Sequence, residues 1–298
     1  MSQTETYFNK EEGQYNEIIK DILNNGSHDN GRNGEVISLF GKTMRFSLSN
    51  NIMPILTSKK VAWKTCVKEL LWFVKGQTDN KILIDTNVKI WNNNASREFL
   101  DSRNLFNRNE NDLGPIYGHQ WRHFNAEYKD CHTDYTNMGV DQLQYIIDNL
   151  KDIKTRFSRR LVMSAWNPCQ LDEMALPPCH VLVQFNVSHG NKLSCALYQR
   201  SADMGLGVPF NIASYCFLTH LIAMHCGLES YEFIHNIGNA HVYKDHIVPL
   251  TEQITRTTHP FPTLKILNIR SNINDYTVDD FEIHNYQHNG PVQMRMVA

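Results

Sequence analysis

Cys179 follows the Pro177-Pro178 pair and precedes a short strand-like run, a setting that holds a thiol on a rigid backbone. Further along come Gln199, Arg200 and Ser201. A nearby cation favours the ionised thiolate, the form that attacks electrophiles, so Cys179 is a candidate nucleophile. The forked guanidinium of Arg200 beside the Ser201 hydroxyl is a pairing that grips phosphate by charge-assisted hydrogen bonds. The loop from Gly205 to Gly207 gives close backbone access to a flat ligand, and Asn211 opens an apolar helix with an amide able to read a heterocycle edge. Such an amide can accept from a ring N–H and donate to the neighbouring carbonyl, the edge that uracil presents, whereas cytosine presents the reversed pattern. Glu69 stands three and four residues before Trp72 and Phe73, on a helix face flanked by aromatics, where partial burial raises a carboxyl pKa.

A lone cysteine is usually a small buried hydrophobe, and Cys66, Cys195, Cys216 and Cys226 are read that way. His180 tempts a Cys-His dyad, but adjacent residues on a strand point to opposite faces. It is therefore expected to be a structural hydrogen-bonding group and not the base for Cys179.

These residues occur with Glu69-Leu-Leu-Trp-Phe73, Lys89-Ile-Trp-Asn92, Asp112-Leu-Gly-Pro-Ile-Tyr-Gly-His-Gln-Trp-Arg122, Ser158-Arg-Arg160, Ala165-Trp-Asn167 and His241-Val-Tyr243. From about Tyr15 to the C-terminus the chain resembles the thymidylate synthase family. The resemblance implies reductive methylation of dUMP to dTMP, with 5,10-methylenetetrahydrofolate giving carbon and hydride, and with neither metal nor flavin. It implies that the Cys179 thiolate adds to uracil C6, that Glu69 relays protons through water, and that Tyr117 assists removal of the C5 proton. Arg32, Arg200 and Ser201 are implied to hold the 5′-phosphate, joined by Arg159 and Arg160 from the neighbouring subunit of a homodimer. Gln199, Asp203 and Asn211 are implied to frame the base, His241 and Tyr243 to bind the 3′-hydroxyl, and Asn167 to hold the water network. For folate the implied residues are Ile90, Trp91, Asn94, Asp203, Leu206, Gly207, Phe210 and Tyr286, with Lys59 meeting the glutamate tail.

The chain departs from the family pattern in places. The usual Arg-Thr-Gly-x-Gly-Thr loop is replaced by Asn30-Gly-Arg-Asn-Gly-Glu-Val36, Asn92 and Asn239 stand where Asp is usual, and the chain ends Met-Val-Ala. Two alternatives carry different chemistry. A deoxycytidylate hydroxymethylase resembles this chain but places Asp at the Asn211 position. A non-catalytic RNA-binding or regulatory relative would not need the set Cys179, Glu69, Tyr117 and Asn211.

With 298 residues and 41% hydrophobic content the chain has enough apolar mass for a sizeable core. Its 29 basic and 31 acidic side chains give a net charge of −2, which supplies no broad field for nucleic acid. The seven cysteines are odd in number and lack paired C-x-x-C spacing, arguing against a disulfide framework or a zinc ribbon and for a reducing, cytoplasmic setting, with nuclear presence also compatible. The N-terminus has neither an apolar nor a basic run, so no targeting segment is expected. The apolar stretch from Ile212 to Leu228 is interrupted by His220 and His225 and reads as a buried core helix, not a membrane span.

The elements that must position the chemistry follow from periodicity. Tyr15, Ile18, Ile19, Ile22 and Leu23 make a helical stripe stopped by Gly26, and Trp63, Val67, Leu70, Leu71 and Val74 make another, with Glu69 off it. Val36 to Phe40 and Arg45 to Leu48 are predicted as strands around a turn at Gly41. Further strands are predicted at Leu161 to Trp166, His180 to Val187, Leu193 to Gln199, Glu232 to Ile237 and Leu264 to Ile269. Helices are predicted at Val140 to Asp152, Asn211 to Cys226 and Val242 to Thr255, and the polar stretch from Ser102 to Asp112 as an exposed loop. No repeat or linker divides the chain, so one α+β domain is expected after an extension over residues 1–14. By resemblance, the fold is a mixed sheet covered by helices, two subunits packing sheet against sheet.

Overall fold

The computed structural model describes residues 8–31 and 34–296. Eight strands are described: β1 (Ser27–Gly31), β2 (Gly34–Ser47), β3 (Val162–Ser164), β4 (His180–Ser188), β5 (Lys192–Asp203), β6 (Glu229–Tyr243), β7 (Thr263–Ile266) and β8 (Phe281–His284). The first six form one sheet in the order β1-β2-β6-β5-β4-β3, and β7 pairs with β8. Only β5 and β6 run parallel; the remaining pairs are antiparallel, so the main sheet is mixed as expected. A parallel pair cannot be joined by a hairpin. The crossover between β5 and β6 is a helix.

Eight α-helices accompany the strands: α1 (Lys10–Asn25), α2 (Trp63–Val74), α3 (Asn80–Asp85), α4 (Arg97–Ser102), α5 (Tyr117–His123), α6 (Gln142–Lys151), α7 (Gly207–His225) and α8 (Ile247–Gln253). The crossover, α7, is apolar around its whole circumference because it runs through the core and packs on β5, β6 and α2. It is long and apolar enough to cross a membrane, but most of it is buried inside the protein. Asn9 caps α1 by accepting from the N–H groups of Glu11 and Glu12, and Tyr15, Ile18, Ile19 and Ile22 form its buried stripe. Glu12 is itself buried, accepting from the Thr57 hydroxyl and the Thr57 and Ser58 N–H groups, which ties α1 to the segment before α2.

One face of the sheet is dry, with Phe46, Phe185, Leu197, Phe233 and Ile237 packed in the core. The opposite face leaves Leu182 and Tyr198 exposed. The register explains this alternation, since successive strand residues face opposite sides.

Three of the differences from the sequence reading have a direct physical cause. The predicted turn at Gly41 is a kink inside β2: Phe40 pairs with Asn239 and Lys42 with Ile237, so a continuous β6 spans both halves while Gly41 takes φ +79°. The helix predicted from Val242 starts at Ile247, because Val242 and Tyr243 extend β6 against Ile37 and Val36. Asn211 lies a turn inside α7, which begins at Gly207.

Candidate active site

A cavity of about 670 Å³ opens at the ends of β2, β5 and β6, lined by Cys179, Arg200, Ser201, Asp203, Asn239, His241 and Tyr243 on the sheet side and by Ile90, Asn94 and Leu176 opposite. Residues far apart in the chain meet there because β4, β5 and β6 are neighbours in the sheet. Cys179 directly precedes β4, and its carbonyl accepts from the Arg200 N–H at 2.9 Å. The carbonyls of Pro178 and Pro177 accept from Arg200 Nε and Nη2, each at 2.9 Å. The Pro-Pro pair thus does more than stiffen the thiol's backbone. It also aims the guanidinium, which lies over the Trp166 ring and beside Ser201.

Behind this wall the Tyr117 hydroxyl accepts from the Cys179 N–H at 2.8 Å, with the His180 N–H at 3.4 Å. Burial pushes the phenol pKa upward, so Tyr117 stays protonated at neutral pH. Its ring rests on Phe73 at 4.8 Å and meets Trp91 edge-on at 6.2 Å. The Trp91 indole N–H donates to Glu69 Oε1 at 2.7 Å. Burial raises the Glu69 carboxyl to about 7 despite that bond. A carboxyl poised near neutrality both gives and takes protons at physiological pH.

The Asn211 amide is held by a chain of buried groups. Burial lowers His235 to about 3, so its neutral ring donates through Nε2 to Gln199 Oε1 at 2.8 Å. That fixes the Gln199 amide, whose Nε2 donates to Asn211 Oδ1 at 3.0 Å. His180 is lowered to about 4 by burial, against a hydrogen bond with Asn211 that raises it. It is neutral at pH 7 and engages Asn211, the arrangement of a positioning group.

At the start of α7 the Asp203 carboxylate accepts from the N–H groups of Gly205, Leu206 and Gly207 at 2.8, 3.1 and 3.3 Å, capping the helix in place of a side chain at Leu206. Burial raises the Asp203 pKa, but the His246 contact and these N–H groups outweigh it and hold the carboxyl below its ordinary range. Gly205 has to be glycine: a Cβ there would sit 2.4 Å from His246 Nδ1. His246 stands 3.5 Å from Asp203 and 2.7 Å from the Arg295 carbonyl, linking this loop to the C-terminal segment, from which Met296 reaches the cavity. Lys59 is buried, donates to the Gly205 carbonyl, and is lowered to about 8 by burial, with Asp203 opposing. It braces the loop from beneath and does not stand at the surface.

Other sequence-derived candidates lie apart from the cavity lining. Arg159 and Arg160 are exposed and do not reach it within their own chain. Asn167 is bound into an amide network with Gln120 and Gln170 beside α5. The Tyr286 hydroxyl donates to the Leu56 carbonyl and accepts from the Val61 N–H, and Phe210 is partly buried against the core. Arg32 lies outside the described residues, as do Val297 and Ala298; Asp29 and Gly31 line the cavity. Asn239, where Asp is usual, keeps a contact with His241 Nδ1 at 3.0 Å. Sequence reasoning missed His235 and His246, whose roles come from burial. It also missed Arg103, which lines the cavity with Nε lacking a partner among the described residues. Its place in a polar stretch without periodicity gave no signal.

The sequence profile of thymidylate synthase matches residues 13–298. The chain belongs to the thymidylate synthase family. It is 50% identical to thymidylate synthase of Saccharomyces cerevisiae over 298 residues, covering 97% of both chains. It is 53% identical to thymidylate synthase of human herpesvirus 8 over 289 residues, 97% of this chain and 85% of the viral one. It is also 52% identical to the bifunctional dihydrofolate reductase-thymidylate synthase of Plasmodium berghei over 293 residues, 98% of this chain and 49% of that protein. The chain thus spans about half the length of bifunctional relatives that it matches.

Proposed function

We propose that this protein reductively methylates dUMP to dTMP, with 5,10-methylenetetrahydrofolate as cosubstrate. The observation that carries the proposal is the convergence on one thiol: Cys179, Arg200 and Ser201 line the same cavity, and Tyr117 and the Glu69–Trp91 pair stand behind its wall. The Cys179 thiolate adds to uracil C6, and electron density moves to C5 and O4. Glu69, titrating near neutrality, supplies a proton toward O4 through water. Once C5 has bonded to the one-carbon unit, Tyr117, held against the Cys179 backbone, assists removal of the C5 proton as the carbon–nitrogen bond to the folate breaks; hydride then adds to the exocyclic carbon, and Cys179 leaves as the C5–C6 double bond is restored. The folate supplies the one-carbon unit and the hydride and departs as dihydrofolate. Ile90, Asn94 and Leu176 are suited to hold it, forming an apolar wall with one amide that excludes water from the reacting carbon, with Trp91 buried behind them.

The same reading includes a homodimer in which Arg159 and Arg160 enter the partner's phosphate site. Two features support it: the arginines miss their own cavity, and the uncovered sheet face carries exposed Leu182, Tyr198 and Val162. The reaction is tested by anaerobic incubation with dUMP and methylenetetrahydrofolate. dTMP with stoichiometric dihydrofolate is expected; a hydroxymethyl nucleotide without dihydrofolate, or no turnover, would overturn the proposal.

A further inference from the structure

Away from the nucleotide cavity, three side chains of metal-binding type converge. One carboxylate oxygen of Asp79, the Cys131 sulfur and an imidazole nitrogen of His132 lie within 4.8 Å of one another. Cys131 Sγ and His132 Nε2 are 3.7 Å apart. Zinc bonds of about 2.3 Å to sulfur and about 2.05 Å to nitrogen, at a tetrahedral angle, separate the two ligand atoms by about 3.6 Å. We propose that Asp79, Cys131 and His132 form a binding site for a divalent transition metal of the zinc type, with the fourth position left to water.

The surroundings favour an ion over a simple hydrogen-bonded pair. Asp79 is only 8% exposed and makes no ion pair among the described residues. As the N-cap of α3 its Oδ1 accepts from the Lys81 N–H at 2.8 Å, which fixes the carboxylate without neutralising it. A nearly buried carboxylate of this kind is costly unless a cation meets it. Two further carboxylates set the turn that bears the other ligands. Asp130 Oδ1 accepts from the His132 N–H at 2.8 Å, and Asp112 Oδ2 from the Cys131 N–H at 3.1 Å. Such outer groups hold ligands in place and add attraction for a dication. The mixed sulfur, nitrogen and oxygen set suits zinc and its neighbours, whereas magnesium and calcium take oxygen throughout. Cys131 also borders a cavity of about 490 Å³, which gives an ion a path in.

None of the three ligands lines the nucleotide cavity, so the ion's role is to staple. Trp72 Nε1 on α2 donates to the Asp79 carbonyl at 3.1 Å, and the Leu113 N–H to the Thr78 carbonyl at 3.2 Å. The ion would join the 131–132 turn to the junction between α2, which carries Glu69, and the segment leading to Tyr117. Binding converts the Cys131 thiol to a metal thiolate and releases its proton to solvent.

The test is a Co²⁺ titration of the full chain in a Cys179→Ser background, which removes the nucleotide-site thiol as a competitor. Saturable uptake of one equivalent per chain is expected, with a thiolate-to-cobalt charge-transfer band and the intense visible bands of tetrahedral cobalt, all displaced by Zn²⁺. The charge-transfer band should vanish when Cys131→Ser is added. His132→Gln, at an exposed position, should weaken binding by about tenfold or more. Absence of saturable uptake, or persistence of the same band in the Cys131→Ser protein, would overturn the site.

Discussion

Replacing Glu69 by glutamine keeps an acceptor for the Trp91 indole but removes a carboxyl that burial raises to about 7 from an ordinary 4.5. A carboxyl whose folded-state pKa exceeds its unfolded value holds an extra proton in the native state. Native stability therefore falls as pH rises between about 4.5 and about 7, then levels off. At about 1.4 kcal/mol per pH unit the full shift corresponds to about 3 kcal/mol. Although its carboxyl is enclosed, the Glu69 residue is only half-buried, and solvent screening lowers the expected effect to about 2 kcal/mol. The assay is urea unfolding of both proteins at pH 5 and pH 8, at one fixed protein concentration because assembly shifts apparent stability. The Glu69→Gln protein should gain about 2 kcal/mol relative to the parent at pH 8 compared with pH 5, the histidines cancelling in the double difference. An identical difference at the two pH values would mean that the carboxyl titrates normally and cannot act as the proton relay.

Asn211→Asp should raise the ratio of dCMP to dUMP specificity constants, since a carboxyl can pair with the reversed cytosine edge; an unchanged ratio would remove Asn211 from base reading. A Cys179→Ala subunit still supplies its arginines, and an Arg159→Glu/Arg160→Glu subunit still supplies its cysteine. Refolded together, the two should regain activity that neither has alone, and tagged heterodimers without recovery would confine the arginines to their own subunit. Glu12→Ala strands the buried Thr57 and Ser58 N–H groups and should cost about 3 kcal/mol or more in urea unfolding; a loss under about 1 kcal/mol would show that the α1 anchor is dispensable.

Much of this was legible in the sequence because it rests on local rules. The α1 and α2 stripes and the strands around Cys179 and Arg200 follow from periodicity, and the mixed sheet follows from family resemblance. What stayed hidden depends on distant contacts. Gly41 reads as a turn because positive-φ glycines usually mark turns, and only the long β6 partner makes it a kink. Short α5 lacks room for a periodic signal and is held by packing, with Gly118 so close to Gln77 that a Cβ would stand 2.6 Å from its carbonyl. His235 and His246 look like ordinary histidines until the fold buries them beside Gln199 and Asp203. Arg159 and Arg160 stand exposed, outside the lining of their own cavity.

The role of the Cys179 thiolate is tested most directly by paired turnover and nucleotide-binding measurements on Cys179→Ser, purified free of any host synthase. A hydroxyl is a far poorer nucleophile toward C6 than a thiolate, so kcat should fall by on the order of 10⁴ or more while dUMP still binds. Retention of most of the parent activity by that protein would contradict covalent catalysis through Cys179.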